Sequence, residues 1–273
     1  MDPRLQRRIQ RYGWDKAATR YERSWQRQLE PAQNRLLALS ALGSGERVVD
    51  VACGTGLVTF AAAAAVGSNG SVIGVDLSQG MVDLARAHAR ERGLGHVRFE
   101  RMGAEELVLP VASFDVALCA LGLMYVPDAR KAVGEMARVI TPGGRVVACV
   151  WGQRSRCGWA EIFPIVDARV ESDVCPLFFS LGTADRLSAV FETAGLIDVV
   201  TERLEIRLEW ASAEEACGAA FVGGPVALAY SRFDERTRLA VKGEYLGSIE
   251  CWRNNGGYAV PGEFVIVAGR KPV

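Results

Sequence analysis

Hydrophobic positions along the chain change period several times, and each change predicts an element. From Trp14 to Leu29 a mixed, aromatic-rich pattern predicts a helix, and Pro31 opens a second one that ends near Leu42, before Gly43 and Gly45. From Glu46 the pattern switches. Arg47–Ala52 is an apolar, β-branched run, followed by an alanine-rich helix at Leu57–Val66. Ser71–Val75 is a second strand closing on Asp76, and Ser78 is placed to cap a helix running to about Arg92. Val97–Arg101 and Val116–Leu121 are the third and fourth strands. Pro127-Asp128 opens a helix ending near Ile140, and Thr141-Pro-Gly-Gly144 turns the chain into a fifth strand, Arg145–Trp151. Strands that alternate with helices predict βα units, hence a parallel sheet covered on both faces with right-handed crossovers. The last third adds a helix at Thr183–Thr193 stopped by Gly195, an extended run at Ile197–Leu208 and a terminal strand at Gly262–Gly269.

Two stretches, Gly152–Leu181 and Ala211–Pro261, do not fit the repeat. Both are rich in aromatic residues and loop breakers, and neither is composed like a linker. The chain therefore reads as a single domain over 1–273. Residues 1–42 are N-terminal helices and 43–151 a ligand-binding core. Residues 152–182 and 211–261 are insertions forming a cap, and 183–210 and 262–273 complete the sheet.

Composition narrows the function classes. The 273 residues are 49% hydrophobic and 23% charged, which excludes a disordered or collagen-like chain. Lys and Arg number 32, as do Asp and Glu, so a cationic nucleic-acid binder is disfavoured. No apolar run approaches the roughly 18 residues of a membrane span, and the basic N-terminus has no apolar segment behind it to make a secretory signal. The seven cysteines (53, 119, 149, 157, 175, 217, 251) form no C-x-x-C pair. They read as buried, reduced thiols of a cytoplasmic protein, and no metal-ligand set emerges. Only His88 and His96 are histidines.

The strongest motif is Val48-Val-Asp-Val-Ala-Cys-Gly-Thr-Gly56, a strand ending in a glycine turn that opens a helix. Such a turn lets backbone approach a ligand closely. Asp76, at the end of the next strand, is placed to accept both hydroxyls of a ribose. Asp50 lies just before the turn, where a carboxylate opposes a pyrophosphate and favours a cationic tail. The third glycine of the dinucleotide fingerprint is replaced by Thr59. The spacing leans away from a nicotinamide cofactor.

Asp50-Val-Ala-Cys-Gly-Thr-Gly56, Gly74-Val-Asp-Leu-Ser-Gln-Gly-Met81, Gly103-Ala-Glu105, Ser113-Phe-Asp115 and Arg138-Val-Ile-Thr-Pro-Gly-Gly144 occur in order. Together they resemble the class I S-adenosylmethionine-dependent methyltransferases, and are similar to the ubiquinone/menaquinone-biosynthesis (type 11) group of small-molecule enzymes. The resemblance spans about Tyr12 to Trp151. It implies a Rossmann-like, doubly wound α/β sheet of seven strands with the last antiparallel, S-adenosyl-L-methionine as cofactor and S-adenosyl-L-homocysteine as product. It further implies a turn at Gly54, Thr55 and Gly56 under the methionine moiety, with Asp50 and the Ala52 carbonyl near its ammonium. Asp76 would bind the ribose, Leu77 and Met81 would pack on the adenine, and Ala104 and Glu105 would meet the adenine edge. Cys119 joins this cofactor set at the end of the fourth strand, and Tyr21 closes over the cofactor. Three positions depart from the pattern. Ala52 stands where many relatives have glycine. Gly103 stands where an acid usually faces the adenine amino group. Met124 and Tyr125 stand where histidines often occur.

The resemblance implies in-line methyl transfer to a small, apolar or aromatic acceptor, with proximity and desolvation as the main catalytic contributions. No single catalytic residue emerges. Tyr21, Tyr125, Glu161 and Tyr230 are the candidates, with Trp151 as a further aromatic wall, and neither histidine is placed to act as a base. An NAD(P)-linked oxidoreductase and a non-catalytic adenosylmethionine-binding module are the competing readings. The acceptor, the atom methylated and the oligomeric state are open at this level.

Overall fold

The computed structural model describes residues 2–170 and 178–273. Its elements follow the predicted order: α1 (Pro3–Ser40), β1 (Arg47–Val51), α2 (Leu57–Val66), β2 (Ser71–Asp76), α3 (Gln79–Glu91), β3 (Val97–Arg101), β4 (Phe114–Ala120), α4 (Ala129–Val139) and β5 (Ile140–Trp151). Beyond them come α5 (Ile162–Asp167), α6 (Arg186–Thr193), β6 (Ile197–Trp210), α7 (Ala213–Phe221), α8 (Ala227–Ser231), α9 (Glu235–Ile249), β7 (Arg253–Asn254) and β8 (Gly257–Arg270).

The sheet order is β3-β2-β1-β4-β5-β8-β6, with the two-residue β7 pairing β8 off this path. The first five strands are parallel, while β8 is antiparallel to both β5 and β6. The sequence explains the arrangement. The central strands are apolar at nearly every position, as strands covered on both faces must be. Strand β6 is the exposed edge, and it carries Glu202, Arg203, Glu205, Arg207 and Glu209, charges that discourage pairing with another sheet. Ser78 caps α3 by accepting from the Met81 N–H, and Asp128 caps α4 by accepting from the Lys131 N–H.

Four expectations are corrected. The N-terminal region is one 38-residue helix with Pro31 inside it. Pro31 removes one N–H from the helix ladder. It sits on the exposed face near Arg27, where water can serve the freed carbonyl. Trp25 and Leu29 before it, and Ala32 and Leu36 after it, are buried along one face and hold the two halves in line. Strand β5 begins at Ile140 rather than Arg145, with a register shift opposite Phe114 and Val116. Strand β8 begins at Gly257, so Gly257–Pro261 belong to the sheet and not to the second insertion. Cys251 is exposed, whereas Cys53, Cys119, Cys149, Cys157 and Cys217 are buried, and all six are free. Cys175 lies outside the described residues.

Candidate active site

The carboxyl ends of β1, β2 and β4 open into a cavity of about 1030 Å³ including its mouth, roofed by α1. Ligands of open α/β sheets bind in this position. The cavity has two ends of different chemistry.

The first end is built from strand-end loops. At the close of β1, Ala52 has φ +58° and Gly54 φ +56°. An alanine in the left-handed region costs about 1–2 kcal/mol. That explains the preference for glycine at position 52 in the resembling family, and the surrounding turn holds Ala52 there regardless. Gly54 lines the cavity, and a side chain at this position would reach toward the Tyr21 ring. Gly56 (φ +95°) has a different task. It is buried outside the cavity lining, and a Cβ there would strike Phe60 at 2.7 Å and Phe99 at 3.0 Å. It is needed for packing α2 on β3. The matching turn after β4 has Leu121 at φ +62°, followed by Gly122, where a Cβ would fall 2.4 Å from that of Ala52. The two turns interlock beneath the cavity.

Asp76 points into this end. One carboxylate oxygen accepts from the Gly54 N–H (2.9 Å) and the other from the Ser78 N–H (2.8 Å). A carboxylate has about four acceptor sites, so capacity remains for a ligand. Burial pushes the Asp76 pKa up, opposed by these two N–H donors. Asp50 is fully buried behind the turn. Its Oδ2 accepts from the Thr59 hydroxyl at 2.6 Å, its Oδ1 has no partner, and burial raises its pKa to about 7. The Thr59 hydroxyl thus orients Asp50 from the position a dinucleotide site gives to glycine. Leu77, Met81, Met102, Gly103, Ala104 and Glu105 complete the rim. Glu105 is held by both oxygens, one accepting from Arg7 Nε at 2.6 Å and the other from the Asp128 N–H at 3.0 Å. Helix α1 is pinned over this end a second time, because Asp15 accepts from the Ser78 hydroxyl (2.6 Å) and the Gly80 N–H (3.0 Å).

The second end is aromatic. Trp25, Trp151, Trp159 and Phe178 line it together with Leu29, Gly224 and Pro225. Trp151 and Trp159 stand 4.8 Å apart edge to face, with Trp25 5.8 Å from Trp159. Between the two ends stand Trp14, Tyr21 and Tyr125, with Trp14 5.7 Å from Tyr21 and 5.1 Å from Tyr125. Burial raises the Tyr21 pKa far above its ordinary value, so its hydroxyl stays protonated. Among the described residues lining the cavity, the charged ones are Arg7, Asp76 and Glu105, all at the first end.

The structure brings Tyr21, Ala52, Gly54, Asp76, Leu77, Met81, Ala104, Glu105 and Tyr125 together around one cavity. It leaves Asp50, Thr55, Gly56 and Cys119 buried outside the lining, with the Cys119 sulfur packed under Gly122. Glu161 is exposed and paired with Arg154 at 3.0 Å. Tyr230 is stacked on Phe221, 5.0 Å between rings, away from the cavity. Neither reaches it: the first insertion lines the cavity through Trp159 and Phe178, and the second through Gly224 and Pro225. His96 faces the Ala63 carbonyl and His88 faces Glu22. Sequence reasoning passed over Arg7, Gln10, Leu121, Gly122 and Pro225. Only Gly122, a glycine just past a strand end, carries a local signal.

Residues 48–144 match the family model described as "Methyltransferase domain". The chain is 37% identical over 133 residues to an aklanonic acid methyltransferase, DauC, of Streptomyces sp. (strain C5), covering 49% of this chain and 60% of that one. It is 37% identical over 119 residues to a demethylmenaquinone methyltransferase of Anoxybacillus flavithermus, covering 44% and 50%. The chain thus spans half to three-fifths of the length of these curated relatives. Among solved structures it resembles the YcgJ protein of Bacillus subtilis, with a TM-score of 0.61 at 20% identity, covering 89% of this chain and 99% of that one. Residues 48–144 thus match a methyltransferase domain, and the chain shares the Rossmann-like fold of this structural neighbour.

Proposed function

We propose that this protein is an S-adenosylmethionine-dependent methyltransferase acting on a small, apolar or aromatic molecule. The observation that carries the reading is the cavity itself. The Gly54 turn, the Asp76 carboxylate and the Tyr21 ring meet at one end, and an uncharged tryptophan chamber continues from it.

The residues present fit that cofactor. Asp76 retains acceptor capacity for ribose hydroxyls. Asp50 lies buried behind the turn that would hold the amino-acid tail, outside the cavity lining, so its carboxylate would act on that tail through charge. A carboxylate here favours an ammonium and opposes a diphosphate. Leu77, Met81 and Met102 offer an apolar surface for a purine. When bound, S-adenosylmethionine supplies a methyl group already activated on a sulfonium. The chain then has to align and to exclude water. Alignment of two reactants recovers roughly 7–11 kcal/mol of barrier. Trp14, Tyr21 and Tyr125 present rings between the two ends, and a cation near such rings gains roughly 0.5–2 kcal/mol. Helix α1 closes the roof through its Arg7 and Asp15 tethers. Tyr21 stays protonated and both histidines lie outside the cavity, which favours an acceptor whose own ionised or electron-rich atom attacks.

The test is transfer of labelled methyl from S-adenosylmethionine to a panel of quinones, phenols, aromatic acids, amines and lipids. Label in an aromatic or apolar product is the expected outcome. Saturable cofactor binding with no transfer to any class leaves a binding module instead, and tight binding of a pyridine dinucleotide alone overturns the reading.

A further inference from the structure

Gln10 on α1 is 7% exposed and lines the cavity, and its side chain makes no hydrogen bond among the described residues. The indole nitrogens of Trp25 and Trp159 are also unpartnered but sealed from any probe, whereas the polar atoms of Gln10 are not. It is the side chain in the roof that waits for a ligand.

Its place along α1 says which part of the ligand. Three residues earlier, Arg7 is fixed to Glu105, in the loop that begins at Gly103. Four residues later, Trp14 packs on Tyr125. Tyr21, which meets the Gly54 turn, is eleven residues on, or about 16 Å along the helix, and Trp25 of the aromatic chamber is about 22 Å away. An extended nucleoside with its amino-acid tail at the Gly54 turn therefore brings its base beneath Gln10. The loop below offers that base no side-chain acceptor at Gly103.

We infer that Gln10 reads the purine of the cofactor. Its carboxamide oxygen accepts from the 6-amino group and its NH₂ donates to the neighbouring ring nitrogen, a pairing that amide side chains make with adenine. The inference rests on the cofactor reading above and deepens it. It assigns base selection to the N-terminal helix rather than to the loop after β3.

The experiment is calorimetric titration with S-adenosylhomocysteine and with its desamino analogue, in which purine replaces adenine, on the wild type, Gln10→Met and Gln10→Glu. Wild type should prefer the amino compound by about tenfold, and Gln10→Met should bind the two within about twofold. Gln10→Glu keeps the acceptor oxygen and should keep the preference. Because each result is a ratio within one protein, a general loosening of α1 does not imitate it. A Gln10→Met protein that retains the full preference overturns the inference. So does one that leaves both affinities unchanged while raising the acceptor KM, which would assign Gln10 to the acceptor. A wild type that binds neither compound overturns the cofactor reading itself, a distinct failure.

Discussion

The two ends of the cavity are made by opposite means. At the first, backbone turns at Ala52, Gly54, Leu121 and Gly122, with the Asp76 carboxylate and with Asp50 buried behind them, come from strand ends that are neighbours in the sheet. At the second, Trp25, Trp151, Trp159, Phe178 and Pro225 come from distant parts of the chain and meet through packing alone. The first end carries polar groups with capacity to spare. The second carries surface and almost no charge. A site of this kind fixes one reactant by hydrogen bonds and the other by shape.

Breaking the second end should therefore cost folding, and breaking the first should cost binding. Trp159 is 2% exposed and touches Trp25, Trp151, Phe163, Phe178 and Phe179. Trp159→Ala should lose about 3–5 kcal/mol of stability in denaturant unfolding. A loss under about 1 kcal/mol would show that the chamber is not part of the core. Asp76→Ala should weaken S-adenosylhomocysteine binding by about a hundredfold in calorimetry, from charged hydrogen bonds worth roughly 1.5–3 kcal/mol each. Equal affinity would mean the ribose lies elsewhere.

The carboxylate behind the turn sharpens the comparison through pH. Burial places the Asp50 pKa at about 7, above its ordinary value, so the unliganded fold holds a proton that the unfolded chain has released. Stability of the free protein should fall as pH rises from about 4 to about 7. A cationic tail favours the ionised form, so cofactor affinity should rise with pH up to about 7, by at most about tenfold per unit, and then level off. Asp50→Asn should flatten both profiles. A smaller effect is expected at Arg7, whose partly exposed pair with Glu105 contributes up to about 1 kcal/mol. Arg7→Ala should raise the cofactor Kd only severalfold. Smallest of all, replacing both His88 and His96 should leave methyl transfer intact, and an inactive but folded double variant would place a base where none is assigned.

The sequence and the structure agree most closely where information is local. The period of apolar positions and the capping residues Ser78 and Asp128 mark β1 to β4 and the helices α2 to α4, because strand, turn and cap chemistry act within a few residues. The same locality marks Gly54 and Asp76, which line the cavity, and Asp50, which lies buried behind it. It failed at Pro31, where tertiary burial on both sides overrode a local break signal, and at Gly56, whose steric role depends on Phe99 in another strand. Glu161 and Tyr230 looked like cavity groups because their segments had to converge on the sheet ends, yet which face of a segment turns inward is settled by packing. Gln10 left no local mark at all. A polar residue in a helix usually faces water, and only the fold reveals that this one does not.

Preference of the first end for an adenosyl group with a cationic amino-acid tail is the central claim. Titration of the purified protein with S-adenosylhomocysteine and with NAD, side by side in one buffer at pH 8, tests this directly. Saturable binding of the former and none of the latter is predicted, and the reverse result would contradict it.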